Sequence, residues 1–293
     1  MSKDSCLTIT LDIEDHRGDA PGPKRHAVCT RELLDLLARY RVQGTFFVVG
    51  DLIETDADLL RQISEAGHEI GLHSFNHKPL RAHTLTEFQE QTHRAKARLE
   101  DCISAAVIGY RAPSFSLTAQ THWVTDILPQ LGFGYSSSTL PAGSPLYGYP
   151  GLPKTPFRWP SGWLELPSPI TKVGPLTVPF LGGIYFRYLP RSLIRRALRD
   201  RQDQTALWSY LHPYDIDAAE PFCRPHGAPL WMSILLWANR RPALAKLEWL
   251  LEGGAGLPVG NPLGVRLAAG EFEAAPPLPL NPCTEQPVSN HLS

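Results

Sequence analysis

Cysteine is scarce in this chain and follows no pattern. The five cysteines, at positions 6, 29, 102, 223 and 283, include no Cys-x-x-Cys pair, which argues against a disulfide framework or a cysteine-ligated zinc site. Charge of either sign is not in surplus, since 28 Lys and Arg against 29 Asp and Glu give a formal charge of −1. This balance gives no indication of a nucleic-acid partner.

Long apolar runs and a signal peptide are also missing. No stretch approaches the roughly 18 apolar residues of a membrane span, and the segment MSKDSCLTITLDIED reaches a carboxylate at Asp12 before any long apolar core. We therefore expect no transmembrane segment and a cytoplasmic protein. The sequence contains no GxSxG elbow, P-loop or GxGxxG fingerprint, so serine-nucleophile and nucleotide-binding chemistry are not indicated.

Short apolar, β-rich runs alternate with helical patterns through most of the chain. Thr30 is a candidate cap for the first helix, Gly67 suits the end of the second, and Thr84 with Glu87 forms a capping box for the third. The alternation predicts an α/β fold with a parallel sheet, open or closed as a barrel. The 293 residues fit one large domain or two small ones. Strands are predicted at 7–11, 45–49, 69–72, 107–110 and 206–211, with helices at 118–131, 191–199, 230–238 and 242–251.

Polar residues follow several of the predicted strands. Because the carboxyl ends of parallel strands share one edge, we expect these residues to lie close together. His73 and His77 have the spacing that places two imidazoles on one face of a helical turn, and two histidines with a carboxylate are a common set for catalytic Zn²⁺ or Fe²⁺. Packed or solvated histidines are the alternative. Asp12 directly follows the apolar LTITL, where an unpaired carboxylate would be costly, so Arg111 or a metal is its expected partner.

Two later segments have distinct compositions. Residues 139–182 are rich in Pro and Gly with interspersed aromatics, including Trp159 and Trp163, which predicts a long ordered loop region whose aromatics either stack on sugar rings or pack in the core. His212 follows a predicted strand and precedes Pro213, consistent with either a site residue or a core histidine. From position 266 onward the Pro-rich end is expected to be a disordered tail.

Five segments occur in order at characteristic intervals. They are LTITLDIED, GTFFVVG, AGHEIGLHSFNH, GYRAPSFS and YLHPYD. Together they resemble the motifs of the NodB-homology polysaccharide deacetylases, carbohydrate esterase family four. The likeness spans roughly residues 6–255. The DxED form, GYRAPSFS, LGGIYFRYLP and LHPYD look most like a subgroup found in exopolysaccharide loci associated with exosortase and PEP-CTERM sorting.

The resemblance implies a single-domain, distorted (β/α)₇-type barrel over residues 1–265 and a metal-dependent N-deacetylation of N-acetylhexosamine units. It implies that His73 and His77 bind one divalent ion, Zn²⁺ first and Fe²⁺, Co²⁺ or Ni²⁺ as alternatives. Arg111 matches the arginine that orients the catalytic carboxylate, and His212 matches the general acid. Substrate contacts are expected from Pro113, Trp163 and Leu211.

The acidic motif departs from the family pattern of two adjacent Asp residues. Asp12 is either the base, with Glu14 on the metal, or Glu14 is the base and Asp15 the ligand. The first is preferred because Asp12 and Glu14 lie on one face of an extended segment.

The expected partner is an N-acetylated polysaccharide or a lipid-linked oligosaccharide, which would be met by a cytoplasmic protein peripheral to the inner membrane. An allantoinase-like hydrolase of a small cyclic amide and an inactive carbohydrate-binding relative are the competing hypotheses.

Overall fold

Six parallel strands form the central sheet of the protein, in the order 10–13, 45–48, 69–72, 109–110, 135–136 and 164–165, and the strand at 157–158 pairs antiparallel with the last of these at one edge. The computed structural model describes residues 6–16, 24–144, 146–201, 206–222, 224 and 229–278. The strands are β1 (Leu7–Thr8), β2 (Thr10–Ile13), β3 (Thr45–Val48), β4 (Glu69–Leu72), β5 (Gly109–Tyr110), β6 (Tyr135–Ser136), β7 (Phe157–Arg158), β8 (Leu164–Glu165), β9 (Ile170–Val173), β10 (Leu176–Pro179) and β11 (Leu207–Trp208).

Helices separate most of these strands and cover the sheet with their apolar faces. The helix His26–Arg39 contacts the helices Leu52–Glu65 and Pro213–Ile216, and Leu52–Glu65 contacts Leu85–Ile103. The expected α/β fold with a parallel sheet is confirmed. The helices are α1 (His26–Arg39), α2 (Leu52–Glu65), α3 (Leu85–Ile103), α4 (Val124–Gln130), α5 (Gly183–Tyr188), α6 (Arg191–Arg199), α7 (Pro213–Ile216), α8 (Leu230–Trp237), α9 (Arg241–Leu251) and α10 (Leu263–Ala268).

The last strand lies beside the first one in the sequence. β11 pairs with β1 in parallel, and the pairing continues past both strands as the Asp12 N–H donates to the Leu211 carbonyl at 2.8 Å. Ser209 fixes this register because its hydroxyl accepts from the Thr10 N–H at 2.9 Å. The pairing places His212 next to Asp12 although two hundred positions separate them in the chain.

Local sequence signals account for several helix ends. The Thr84 hydroxyl accepts from the Glu87 N–H at 3.3 Å and the Glu87 carboxylate accepts from the Thr84 N–H at 2.9 Å, so the predicted capping box is confirmed. Gly67 has φ of 82° just beyond α2, as predicted. The Thr30 cap is wrong: α1 begins one turn earlier, and the Thr30 hydroxyl donates to the His26 carbonyl inside the helix at 2.7 Å.

The domain boundary expected at residue 265 falls inside α10. Arg266 and Phe272 are buried, at 2% and 1% exposure, and Arg266 Nη1 donates to the Thr8 hydroxyl at 3.0 Å. Further along, the Leu278 N–H donates to the Arg158 carbonyl. Residues 266–278 are therefore packed on the domain, which corrects the first part of the predicted tail; residues 279–293 lie outside the described residues.

Candidate metal centre and active site

A cavity of about 430 Å³ lies at the carboxyl ends of β2 and β4 and beyond β11. Its polar lining gathers side chains that the sequence places far apart: Asp12, Glu14, His73, His77 and His212. Its remaining lining is mostly apolar and aromatic, from the segments around 112–115, 140–147, 177–185 and α8. The polar groups thus share one pocket wide enough for a sugar-sized molecule.

Asp12 lies within β2 and is 4% exposed. Its Oδ1 accepts from Arg111 Nη1 at 2.5 Å. The second oxygen, Oδ2, lies 3.8 Å from His212 Nε2. One carboxylate oxygen is therefore fixed by the arginine while the other faces the histidine across the cavity.

Arg111 follows β5 and is fully buried, at 0% exposure. Its Nη2 donates to the hydroxyls of Thr10 and Ser137, both at 2.9 Å, and its Nε donates to the Ser137 carbonyl at 3.3 Å. The guanidinium carbon lies 4.0 Å from the ring centre of Phe47 and 4.4 Å from that of Trp208. A buried cation needs such complete pairing to be tolerated, and the result is a rigid support for Asp12.

Glu14, His73 and His77 form a group whose possible ligand atoms lie within 4.8 Å of one another. His77 Nε2 lies 2.5 Å from Glu14 Oε2, and the ring centres of the two histidines are 5.1 Å apart. The segment from 73 to 77 is a turn rather than the expected helical face, with Ser74 and His77 at φ of 62° and 55°. This left-handed backbone at non-glycine residues is the kind of local strain that collects at functional sites.

The tautomer of His73 is fixed by the backbone. Its Nδ1 lies 2.9 Å from the Arg111 carbonyl oxygen, and because a carbonyl can only accept, Nδ1 carries the hydrogen. The lone pair therefore remains on Nε2, which is the arrangement of a metal-ligating histidine. Two imidazole nitrogens and one carboxylate oxygen suit Zn²⁺ or Fe²⁺ and leave positions for water and substrate, so the residues present fit a divalent ion.

Burial and charge set the protonation of this group. Burial lowers the pKa of His73 to about 4, which keeps the ring neutral. Burial acts to raise the pKa of Glu14, but the charge and hydrogen bond of His77 outweigh it and bring this pKa to about 2. Glu14 is therefore ionised at neutral pH, as a carboxylate ligand must be.

His212 is held from behind by a second buried ion pair. Its backbone N–H donates to Asp215 Oδ2 at 2.9 Å, and its Nδ1 lies 3.1 Å from the same oxygen. The other oxygen of Asp215 lies 3.1 Å from Arg187 Nε, and both residues are buried. The ring of His212 also stacks on Tyr214, with centres 4.6 Å apart. These contacts direct Nε2 into the cavity.

The two groups that face each other across the cavity are shifted in opposite directions. Burial acts to raise the pKa of Asp12, but the charges of Arg111, His73 and His212 outweigh it, and the pKa lies below its ordinary value. Burial acts to lower the pKa of His212, but the hydrogen bond and charge of Asp215 outweigh it and raise the pKa to about 9. An ionised carboxylate thus faces a protonated imidazole at neutral pH.

Other residues expected at the site lie elsewhere. Asp15 is outside the ligand group, and its Oδ2 lies 3.1 Å from Lys24 Nζ. Trp163 is 4% exposed and donates to the Phe133 carbonyl at 2.8 Å, and Leu211 is a core residue at 1%. Neither side chain lines the cavity, because each packs into the hydrophobic core. Pro113 is buried between cavity-lining neighbours, Ala112 and Ser114, without lining the cavity itself.

Some residues that support the site lie outside the five sequence motifs. Glu165 is fully buried and accepts from the N–H groups of Ser138 and Thr139, at 2.8 and 2.9 Å. It thereby holds the segment whose Ser137 supports Arg111. The run SSST at 136–139 starts with the last residue of β6, and its four consecutive hydroxyl residues are the sequence feature that indicates this network.

A polysaccharide deacetylase family model matches residues 2–135, the part of the chain that carries four of the five motifs and the group Asp12, Glu14, His73, His77 and Arg111. Residues 2–135 therefore match a polysaccharide deacetylase domain. A second model, a domain of unknown function called DUF3473, matches residues 137–254, which include His212 and α8. The first match ends within β6, and the second begins at Ser137, whose hydroxyl accepts a hydrogen bond from Arg111.

Curated relatives of the deacetylase domain match over short stretches. The peptidoglycan deacetylase of Helicobacter pylori is 30% identical over 153 residues, which are 48% of this chain and 51% of that protein. The chain spans between about a quarter and about a half of the length of the first curated relatives it matches.

Solved structures share the whole fold at low identity. A candidate polysaccharide deacetylase from Mycobacterium smegmatis superposes with a TM-score of 0.66 at 19% identity, covering 96% of this chain and 95% of that one. The allantoinase Puue superposes with a TM-score of 0.60 at 16% identity, covering 92% and 90%. Both likenesses concern the fold, and they confirm the expected barrel-like α/β architecture as a single domain.

Proposed function

We propose that this protein is a metal-dependent N-deacetylase that hydrolyses the N-acetyl group of N-acetylhexosamine units in a bacterial polysaccharide or its precursor. One observation carries the proposal: the Asp12 carboxylate, the His212 imidazole and a three-residue ligand group line one cavity. Amide hydrolysis needs a proton acceptor for water, polarisation of the carbonyl and a proton donor for the leaving nitrogen. The polysaccharide deacetylase domain and the relatives named for peptidoglycan deacetylation support this substrate class.

Glu14, His73 and His77 would hold the divalent ion, Zn²⁺ in preference to Fe²⁺, Co²⁺ or Ni²⁺. A bound ion of this kind lowers the pKa of a water ligand and polarises a carbonyl oxygen. The exclusion of Asp15 from the group supports the assignment in which Glu14 is the ligand and Asp12 the base. Arg111 keeps Asp12 ionised and leaves Oδ2 as the oxygen that accepts a proton from water.

His212 is the proposed proton donor to the leaving nitrogen. Its Nε2 lies 3.8 Å from Asp12 Oδ2, so an amide held in the cavity beside these two atoms would have a proton acceptor and a proton donor within reach. The Asp215 carboxylate holds the hydrogen on Nδ1 and favours the charged ring, so that Nε2 carries the proton to be transferred. The bond between carbonyl carbon and nitrogen then breaks to give acetate and a free amine.

The proposed natural substrate is an N-acetylated polysaccharide or a lipid-linked oligosaccharide. Membership of the subgroup found in exopolysaccharide loci stays a prediction, and so does the cytoplasmic location. Fractionation of a tagged protein, with cytosol and periplasm assayed separately, tests the location.

The function is tested by measuring acetate released from N-acetylglucosamine oligomers alongside ring-opening of small cyclic ureides. We expect acetate release by the metal-loaded protein and no ureide hydrolysis. His73→Ala should lose bound metal and activity together, with His122→Ala, an exposed histidine, as the control. Ureide hydrolysis without acetate release would favour the allantoinase-like alternative. Failure to bind any metal would favour an inactive carbohydrate-binding relative.

A further inference from the structure

Helix α8 reverses the usual pattern of a surface helix. Its one polar residue, Ser233, is 1% exposed, whereas its seven large apolar residues are between 36% and 64% exposed. A helix that packs on a core normally buries the apolar side chains and exposes the polar one. The apolar residues turned outward are Leu230, Trp231, Met232, Ile234, Leu235, Leu236 and Trp237.

The backbone of α8, rather than its side chains, provides much of its attachment to the domain. Arg187 Nη1 donates to the carbonyls of Leu236 and Ala238 at 2.8 and 2.9 Å. The Tyr188 hydroxyl donates to the Leu235 carbonyl at 3.2 Å. Because Arg187 also pairs with Asp215, the helix is tied to the same buried network that holds His212. The helix is thus held in place with its apolar surface outward.

The exposed surface of α8 continues into the candidate active site. Trp231, Met232, Leu235 and Leu236 line the cavity that contains Asp12 and the ligand group. Leu146, which is 74% exposed, lines the same cavity. Contiguous exposed apolar area of this kind marks an interaction surface, and here that surface borders the entrance through which a substrate would pass.

The exposed charged residues nearest to α8 in the sequence are basic. Residues 221–247 contain no Asp or Glu, and the exposed Arg241 lies four positions beyond the helix end, at the start of α9. Helix α6 presents four exposed arginines, Arg191, Arg195, Arg196 and Arg199, of which Arg196 lies 3.8 Å from Asp200. α6 packs on the helix that follows α8, since Arg191 Nη2 donates to the Ala245 carbonyl at 2.6 Å. Apolar side chains beside arginines complement a lipid surface with anionic headgroups.

We propose that α8 inserts into the headgroup region of an anionic lipid bilayer and places the cavity entrance at the membrane surface. Trp231 and Trp237, near the two ends of the helix, suit the interfacial depth at which tryptophan is enriched. No helix among the described residues is long and apolar enough to cross a bilayer, so this contact lies in the plane of the membrane. The docking is argued from exposed apolar and basic residues alone; only its consequence, access to a lipid-linked saccharide, rests on the proposed deacetylase function.

The test is flotation of the full chain with vesicles of phosphatidylglycerol and phosphatidylethanolamine, compared with vesicles of phosphatidylcholine. We expect binding to the anionic vesicles that weakens in high salt. The variant Leu230→Glu/Ile234→Glu changes two half-exposed residues that do not line the cavity. It should lower the vesicle-bound fraction at least about tenfold. Leu85→Glu/Val265→Glu, with equally exposed residues on α3 and α10, adds the same charge and should bind like the unchanged protein.

Three outcomes would overturn the proposal. The unchanged protein could fail to float with anionic vesicles, or the α8 variant could bind as well as the control variant. Alternatively, light scattering could show a dimer that only the α8 variant dissociates, without vesicle binding, which would assign the helix to contact between two copies. Acetate release from a water-soluble oligomer without vesicles reports on the deacetylase function separately, so failure of one proposal is distinguishable from failure of the other.

Discussion

The chain up to residue 136 and the chain beyond it contribute to the site by different means. The first part supplies Asp12, Glu14, His73 and Arg111 from the ends of β2, β4 and β5, parallel strands of one sheet. The second part supplies His212, whose position depends on pairing with the first strand and on the buried Asp215–Arg187 pair. Groups at neighbouring strand ends converge through the fold itself, whereas a group on the later, less regular part needs buried charges to hold it in place.

The later part also supports the earlier one. Glu165 accepts three hydrogen bonds from Ser138 and Thr139 on its Oε1, and Ser137 in turn accepts from Arg111. The two parts are therefore separate in sequence but continuous in their polar network. The domain called DUF3473 is consequently part of the site and not only a neighbour of the deacetylase domain.

The largest expected effect that separates the two parts comes from His212→Ala. If the later part contributes the proton donor and not the metal, kcat should fall by about 10²–10⁴ while bound metal is unchanged. Elemental analysis and acetate-release kinetics on the same preparation measure both quantities. A near-normal kcat would remove His212 from the chemistry, and loss of metal would make it part of the ligand group.

A smaller, pH-dependent effect is expected from Asp215→Asn. Asp215 is a main cause of the raised pKa of His212, about 9, so its neutralisation should lower that pKa. A general acid works only while it is protonated. The alkaline limb of the kcat–pH profile should therefore shift to lower pH, with less change in kcat near pH 6. The measurement is kcat against pH. A thermal melt accompanies it, because Arg187 loses the charge of its carboxylate partner and the variant is expected to be less stable.

Asp217→Asn is the matched control for this change. Asp217 is equally buried but pairs with Arg25, at 2.6 and 2.8 Å, rather than with His212. Substitution of Asp217 should leave the alkaline limb of the kcat–pH profile unchanged. An unchanged limb in Asp215→Asn would show that Asp215 only holds the backbone of the turn.

The smallest expected effect concerns the support of Arg111 by Glu165. Glu165→Gln keeps one acceptor oxygen but replaces the other, which lies 3.5 Å from Trp159 Nε1, by an amide donor. We expect a loss of about 1–2 kcal/mol in the free energy of unfolding, measured in urea, with metal content unchanged. Glu32→Gln, an exposed site on α1, should cost nothing measurable. Equal stability of the two variants would mean that the network does not tie the two parts together.

The earlier part could be predicted from sequence because its patterns are regular. The alternation of β and α patterns gave the parallel sheet, and polar residues after LTITL, EIGL and VIGY gave the convergence of Asp12, His73 and Arg111. Helix boundaries were less certain: α4 covers only Val124–Gln130 of the helix expected at 118–131.

The later part could not be predicted in the same way. Its strands are no shorter than those of the earlier part, but β7 to β10 follow one another without helices between them, and α5 was not expected at all. Trp163 resembled a substrate-contacting aromatic, but its indole is buried against the Phe133 carbonyl. The contacts of Glu165 with Ser138 and Thr139, and of Asp215 with Arg187, are tertiary contacts that no spacing in the sequence records.

Metal content and kcat in three variants decide whether Asp12 is the base and Glu14 the metal ligand. We expect Glu14→Gln to lose bound metal, Asp12→Asn to keep it while kcat falls by about 10²–10⁴, and Asp15→Asn to change neither. Loss of metal in Asp15→Asn, together with a normal rate of acetate release by Asp12→Asn, would establish the opposite assignment, with Glu14 as the base and Asp15 as the ligand.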